Sequence, residues 1–360
     1  MPLTFHVAIR IRKSFQTPDD SSARRRAVVS PALRAKVENM LAVMAIRAAP
    51  GDPLAALRVG DHSEPGLPAG WLRVRVKAAS INRHDLWTLE GVGVDPAALP
   101  IVLGCDAAGV TDDGRDVVVH AVIGDPAAGG GDETLDPDRT LLSERYDGTF
   151  AEWVAVPERN VIDKPRELSW EQAGALSTAW LTAYRMVFNR AGLPRQGTLL
   201  VQGAGGGVST AAIQLAAAAG HTVYATSRSA ERLARAVELG AIGLHAGERL
   251  PERVDAVIET VGAATWDHSL KSLRPGGTIV VSGATSGANP PADLARVYFR
   301  QLRIVGSTMG TRGEYDALLG FLLRTGVRPV IDSVLPLAGA AIGLERVRIG
   351  DVFGKIVLVP

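Results

Sequence analysis

The stretch "VQGAGGGVSTAAIQL", residues 201–215, places four glycines in one short turn between two apolar runs. Glycine costs backbone entropy, so a cluster of this kind marks a place where the chain bends sharply or another group comes close. Around it, strand-like and helix-like segments alternate. "TLLVQG", a helix opening after Gly206, "TVYATS", "AERLARAVELG" ending at Gly240, "RVDAVIETVG", "TIVVSG" and "RIVGSTMG" follow one another over about 140 residues. That rhythm predicts a parallel sheet covered on both faces by helices.

A strand, a glycine turn and a small-residue helix together form the context in which backbone N–H groups grip a pyrophosphate at a helix N-terminus. Gly203 can make the tight turn, and Gly206 and Gly207 leave the approach free of a Cβ. Val208 stands where the third glycine of the strict G-x-G-x-x-G fingerprint falls, so the spacing fits the looser G-x-x-G-x-x-S formed by Gly203, Gly206 and Ser209. The alternative is that these glycines only let strand and helix pack closely. In a dinucleotide site, an acid about 20 residues on selects NAD through the ribose hydroxyls. Here the second strand ends "YATSRSAER", and no carboxylate appears before Glu231. Ser227, Arg228 and Arg232 supply donors instead, which suits a 2′-phosphate and hence NADP(H). The competing reading makes both arginines ordinary solvated helix residues.

The rest of the chain is organised differently. "LAVMAIRA", then a Pro/Gly-rich turn, then "WLRVRVKAASI", "PIVLGCDAAGV", "RDVVVHAVIG" and "GTFAEWVAV" read as strands, with "RHDLWTLEG" as a short helix ending at Gly91. "SWEQAGALSTAWLTAYRMVFNRAG" reads as a helical region broken once. Residues 1–39, rich in arginine, serine and proline without periodicity, are expected to be a poorly ordered extension, and Asp19, Asp20 and Glu38 argue against a targeting leader. The organisation expected is therefore a 1–39 extension, a mostly β domain over 40–168, a nucleotide domain over 169–310 and a last segment, 311–360, of mixed helices and strands.

Charge is nearly balanced, 39 Lys plus Arg against 38 Asp plus Glu, so neither nucleic acid nor an anionic membrane is expected as a partner. Cys105 is the only cysteine, which rules out an internal disulfide and a cysteine-rich zinc lobe and fits a reducing, cytoplasmic setting.

With these residues assembled, the chain resembles the medium-chain dehydrogenase/reductase superfamily, in its zinc-free, quinone oxidoreductase-like branch. The resemblance runs from Met40 to the C-terminus and rests on "VKAASINRHDLW", "LPIVLGCDAAGV", "GTFAEWVAVP", "LSTAWLTAYRMV", "VQGAGGGVSTAAIQL", "LRPGGTIVVSG" and "FGKIVLV". It implies an α/β fold: a GroES-like, mostly β catalytic domain with a Rossmann doubly wound parallel-sheet domain inserted. It also implies Asn82 and Thr182 near a nicotinamide, Val261, Gly283 and Ala284 on its ribose side, Lys355 closing the pocket, and a homodimer.

Zinc members of the superfamily carry metal ligands at positions that correspond here to Asn82, Cys105, Asp106 and Thr178. An amide, one thiol, one carboxylate and one hydroxyl are a poor set for zinc, so no metal is expected. Hydride transfer without a Lewis acid favours acceptors that delocalise the incoming charge, namely quinones and α,β-unsaturated carbonyls. Asn82 and Thr182 are then candidate donors to a small-molecule acceptor, and Trp87 a wall of its pocket. His84 is either a pocket acid or a surface residue on an exposed short helix, while Asp85 is expected to cap the local backbone. The alternatives are a zinc-dependent alcohol dehydrogenase, an enoyl-thioester reductase and a non-enzymatic NADPH-binding protein.

Overall fold

The computed structural model describes residues 39–360. The extension expected over residues 1–39 lies outside the described residues except for Asn39, which opens the first strand.

The strand Trp71–Ser80 organises the β-rich part. Its apolar–basic alternation buries Val74 and Val76 and exposes Arg75 and Lys77, as a half-buried strand requires. It pairs antiparallel with Asp106–Thr111, Trp153–Pro157 and the C-terminal strand Lys355–Val359. Strands Asp116–Val119, Val161–Asp163 and Ile331–Pro336 complete a seven-stranded sheet, so residues from both ends of the chain share it. A second, three-stranded sheet contains Asn39–Ala45, Ile101–Val102 and Leu57–Ser63. The last of these falls in the stretch expected to be turn. Its sequence LRVGDHS carries a glycine and two charged residues and shows no apolar alternation, and seven register pairs with Asn39–Ala45 hold it in place. Pairing here overrides a weak local signal.

The expected parallel sheet has six strands, in the order Ala241–His245, Thr222–Ser227, Thr198–Val201, Val254–Glu259, Leu273–Val281, Arg303–Gly306. Alternate side chains feed two cores. Leu199, Val201, Val223 and Ile258 face a cluster containing Ile213 and Leu215, whereas Leu200, Tyr224, Val257 and Ile279 face one containing Trp266 and Leu270. The strand order reverses at Thr198–Val201, which places a crevice beyond its carboxyl end.

The helical region after Ser169 is interrupted at Gly174, where a Cβ would lie 2.5 Å from the Ala78 carbonyl oxygen. Beyond it, the chain forms a π-helical stretch Leu176–Trp180, an α-turn Leu181–Tyr184 and a second π-helical stretch Arg185–Arg190. Helix Arg312–Thr325, started by a Thr311–Glu314 capping box and ended by left-handed Gly326, buries Tyr315, Leu318, Leu319 and Leu322 in the same cluster as Trp180 and Ile213. Among the described residues, no helix is long and apolar enough to cross a membrane.

Candidate active site

The glycine turn sits at this crevice. Gly203 and Gly205 adopt φ of +74° and +125°, which other residues resist, and Gly206 caps helix Gly207–Ala218. Both readings of the turn find support, at different positions. A Cβ on Gly203 would meet Val261 Cγ2 at 2.8 Å, and one on Gly207 would meet Lys355 Cδ at 2.8 Å, so these two glycines permit close packing. At Gly206 the nearest atom would be Ser209 Oγ at 3.5 Å, which leaves that face open. The first-turn amides of the helix are free of intrahelical partners and lie at its positive end.

A cleft of about 930 Å³ opens over the turn. Among the sequence-derived candidates, Asn82, Trp87, Gly203, Gly206, Gly207, Val208, Ser227, Arg228, Arg232, Val261, Gly283 and Lys355 line it. Its walls carry five cationic side chains, those of Arg83, Arg228, Arg232, Arg348 and Lys355, and no carboxylate. Arg83 and Arg348 went unrecognised in the sequence: one opens the short helix Arg83–Glu90, and the other reaches the cleft from helix Ala340–Ile349, about 120 residues beyond Arg228. Only tertiary structure brings them together. Ser282 was also missed; its Oγ is buried in the cleft wall without a hydrogen-bond partner. At the far end, Ser227 Oγ accepts from Ser229 N at 3.1 Å, and the Arg232 guanidinium donates to the Gly350 carbonyl. Arg232 is thus held by the C-terminal segment rather than solvated. An open glycine face, free helix amides, an unpartnered hydroxyl and an all-cationic rim fit a phosphate-rich dinucleotide.

Three candidates lie elsewhere. Thr182, buried on the turn Leu181–Tyr184, does not reach the cleft wall, and neither does Ala284. His84 corrects the expectation of a surface residue. Its side chain is only 11% exposed, and Nε2 has no hydrogen-bond partner among the described residues and lies 3.8 Å from Glu144 Oε1. Burial pushes its pKa below the usual imidazole value against the pull of Glu144. Glu144 in turn lines a smaller cavity of about 250 Å³ with Thr134, Thr140, Leu141, Thr308 and Met309.

The corner around Asn82 decides how the superfamily's metal-ligand positions are used. Asp106, fully buried, accepts from Ser80 Oγ at 2.6 Å, Asn82 Nδ2 at 2.9 Å and Thr178 N at 2.6 Å. Asn82 Nδ2 also donates to Ser80 O at 3.2 Å, while its Oδ1 accepts from the Lys355 ammonium. Both amide hydrogens are therefore committed, and Asn82 holds Lys355 instead of offering a donor to an acceptor oxygen. Lys355 Nζ donates to Ile81 O at 2.8 Å and lies 3.3 Å from Asp106 Oδ2. The Cys105 thiol donates to Leu142 O at 3.1 Å, and burial pushes its pKa well above normal. Asn82, Cys105 and Asp106 are satisfied by one another, by backbone and by an ammonium, and only the Thr178 hydroxyl is left without a partner among the described residues, so the set does not fit zinc. Among the described residues, no three His, Cys, Asp or Glu side chains are grouped to hold a metal. Asp85 does cap the backbone, accepting from Asn82 N at 2.7 Å and Gly104 N at 3.1 Å; burial raises its pKa to about 7.

Comparison with known proteins bears on the same geometry. A family model described as "Alcohol dehydrogenase GroES-like domain" matches residues 68–166, and one described as "Zinc-binding dehydrogenase" matches residues 207–324. A solved structure described as an NAD-dependent alcohol dehydrogenase is 35% identical, with a TM-score of 0.82 over 89% of this chain and 100% of the other. The chain belongs to the zinc-binding dehydrogenase family of the medium-chain dehydrogenase/reductase superfamily. Within the superfamily, this dehydrogenase/reductase is 26% identical to crotonyl-CoA carboxylase/reductase of Cereibacter sphaeroides, over 80% of each chain. It is 27% identical to an alcohol dehydrogenase of Geobacillus stearothermophilus, over 84% of this chain and 96% of the other. It is an oxidoreductase of the medium-chain type.

Proposed function

We propose that the protein is an NADPH-dependent reductase of conjugated carbonyls (enones, quinones or enoyl thioesters) and that it works without a catalytic metal. The observation that carries this reading is the cleft rim beside Ser227, where Arg228 and Arg232 stand with no carboxylate in the lining, whereas Arg348 and Lys355 are paired with Glu345 and Asp106. A ribose bearing only hydroxyls gains little from such a rim, whereas a 2′-phosphate beside Ser227 and Arg228 gains charge-assisted hydrogen bonds. The crotonyl-CoA relative, whose name specifies a conjugated thioester, supports the acceptor class.

NADPH would supply the hydride to the electron-poor carbon conjugated with the carbonyl, leaving NADP+ and an enolate-type anion that takes its proton from solvent. The chain's own part is orientation and electrostatics. The first turn of helix Gly207–Ala218 would hold the pyrophosphate, and Trp87 would offer a flat wall to a planar acceptor. The Ser282 hydroxyl, unpartnered beside Gly283, is the donor this wall can offer to developing negative charge. The Lys355 ammonium adds fixed positive charge at the floor of the cleft. A competing reading, NAD-linked alcohol oxidation assisted by zinc, is favoured by the 35% identical structure described as an NAD-dependent alcohol dehydrogenase and by the "Zinc-binding dehydrogenase" family model. Steady-state assays with NADPH and NADH against enones, quinones, enoyl thioesters and alcohols, with and without chelator, separate the two. Our reading requires NADPH-linked reduction that survives chelation, and chelator-sensitive alcohol oxidation would overturn it.

The assembly is proposed to be a homodimer. Strand Arg303–Gly306 is an uncovered sheet edge, and Leu294, Tyr298, Phe299 and Ile304 are exposed beside it, with Phe299 at 83%. Edge-to-edge pairing with a second copy would cover all four. Sedimentation should give a dimer for the wild type and a monomer for Ile304→Lys; a wild-type monomer would contradict the proposal.

A further inference from the structure

Behind the cleft, Glu259 ends the strand Val254–Glu259 fully buried and with no cation in ion-pair range among the described residues. A buried carboxylate normally needs a paired charge or several donors. Here it has the donors. Oε1 accepts from Val261 N at 2.8 Å and Gly262 N at 3.0 Å, Thr265 Oγ1 donates at 2.9 Å, and Ser269 Oγ donates to Oε2 at 2.6 Å. Because Ser269 spends its proton on Glu259, its oxygen accepts from Gln202 Nε2 at 3.0 Å. The second Gln202 hydrogen goes to His268 Nδ1 at 2.8 Å, since His268 Nε2 faces the Glu248 carbonyl at 2.8 Å and must donate to it. Gln202 Oε1 then accepts from Thr226 Oγ1 at 2.6 Å, and Thr226 Oγ1 lies 3.4 Å from the amide of Gly203.

Glu259 at one end and the Glu248 carbonyl behind His268 thus fix the direction of the hydrogen bonds along this chain. Its two ends both reach the cleft lining, close to each other where Gly203 packs against Val261. Val261, Thr265, Gly203 and Thr226 line the cleft, whereas Glu259, Ser269 and Gln202 stay behind the wall.

We infer that Glu259 is a positioning residue for the bound dinucleotide, acting directly on the 261–262 backbone and, through Ser269, Gln202 and Thr226, on the glycine turn. This rests on the proposed cofactor reading. Ser269→Ala breaks the relay without touching the cleft. Glu259→Gln fills the same volume but turns a donor toward Ser269, so the hydroxyl and Gln202 must reorient.

Fluorescence titration with NADPH and with 2′,5′-ADP tests the inference on the full-length protein. Both variants should weaken both ligands about tenfold, the scale of one hydrogen bond to a charged group. The acceptor KM and kcat at saturating NADPH should hold within about twofold. Variants that bind within about twofold of wild type overturn the inference. So do variants in which ligand affinity, acceptor KM and kcat all fall together with thermal stability, because that pattern is a structural defect. If Glu259→Gln does not fold, Ser269→Ala decides. A wild type that binds neither NADPH nor NADH removes the cofactor reading and this inference with it; tight wild-type binding with unchanged variants removes the inference alone.

Discussion

The ammonium of Lys355 lies 3.3 Å from Asp106 Oδ2 with both side chains almost wholly buried, and it joins the last strand of the chain to the fourth residue of the LGCD turn. Asp106 has three further donors, while Lys355 has two carbonyl-type acceptors. Removing one partner of such a pair strands the other charge away from water. Lys355→Met is therefore expected to cost about 3–5 kcal/mol in denaturant unfolding. The double variant Lys355→Met with Asp106→Asn should recover part of that loss, and a single variant as stable as wild type would show the pair to be idle.

Cofactor preference should follow charge at the end of the second strand. Ser227→Asp places a carboxylate where a 2′-phosphate is proposed to lie, and Arg228→Ala removes a cation with no ion-pair partner among the described residues. Either is expected to raise the Kd for NADPH about 10-fold to 100-fold, the scale of a charge-assisted hydrogen bond, while changing NADH binding far less. Parallel titrations with the two cofactors measure it.

Asp85 gives a pH signature. Burial raises its pKa to about 7, above its unfolded value near 4, so the native state holds the proton more tightly than the unfolded chain does. The stability contributed by this group is complete below about pH 4 and is lost as pH rises through about 7. Asp85→Asn removes the titration. The slope of unfolding free energy against pH between 4 and 8 should shift upward relative to wild type, with an upper bound of about 4 kcal/mol over that window. An unchanged slope would contradict the assignment.

Arg185 holds the glycine-rich loop to the helical layer. Its guanidinium donates to Glu314 Oε2 at 2.8 Å, Thr134 Oγ1 at 2.7 Å and Asp132 Oδ2 at 2.5 Å, and only 3% of the residue is exposed. Thr134 also walls the smaller cavity beside Glu144. Arg185→Met is expected to destabilise by about 3 kcal/mol, because Glu314 loses its cation and Asp132 keeps only Arg190 at 3.8 Å. Faster proteolysis within residues 125–140 should accompany the loss.

Much of this architecture was legible in the chain because the parallel-sheet half obeys local rules. Apolar runs of strand length, small-residue helices and glycine stops agree with one another between Thr198 and Gly306. The glycine turn and the absence of an acid after "YATS" could likewise be read locally. The strand Leu57–Ser63 could not, since pairing rather than pattern makes it a strand. Nor could the burial of His84, which depends on Glu144 reaching it from 60 residues away. The cationic rim is half visible: Arg228 and Arg232 follow the second strand, but Arg83 and Arg348 join them only after the two ends of the chain meet in one sheet. Asn82 lines the cleft, but its hydrogen-bond commitments depend on Asp106 and Lys355, which the local sequence does not bring to it.

The most direct test mixes chelator-dialysed protein, its metal content measured, with NADPH and a conjugated enone in a stopped-flow instrument. The expected result is NADPH oxidation at the rate of untreated protein, with less than about 0.1 zinc per chain and far weaker use of NADH. Loss of turnover on chelation, restored by adding zinc, would contradict the account.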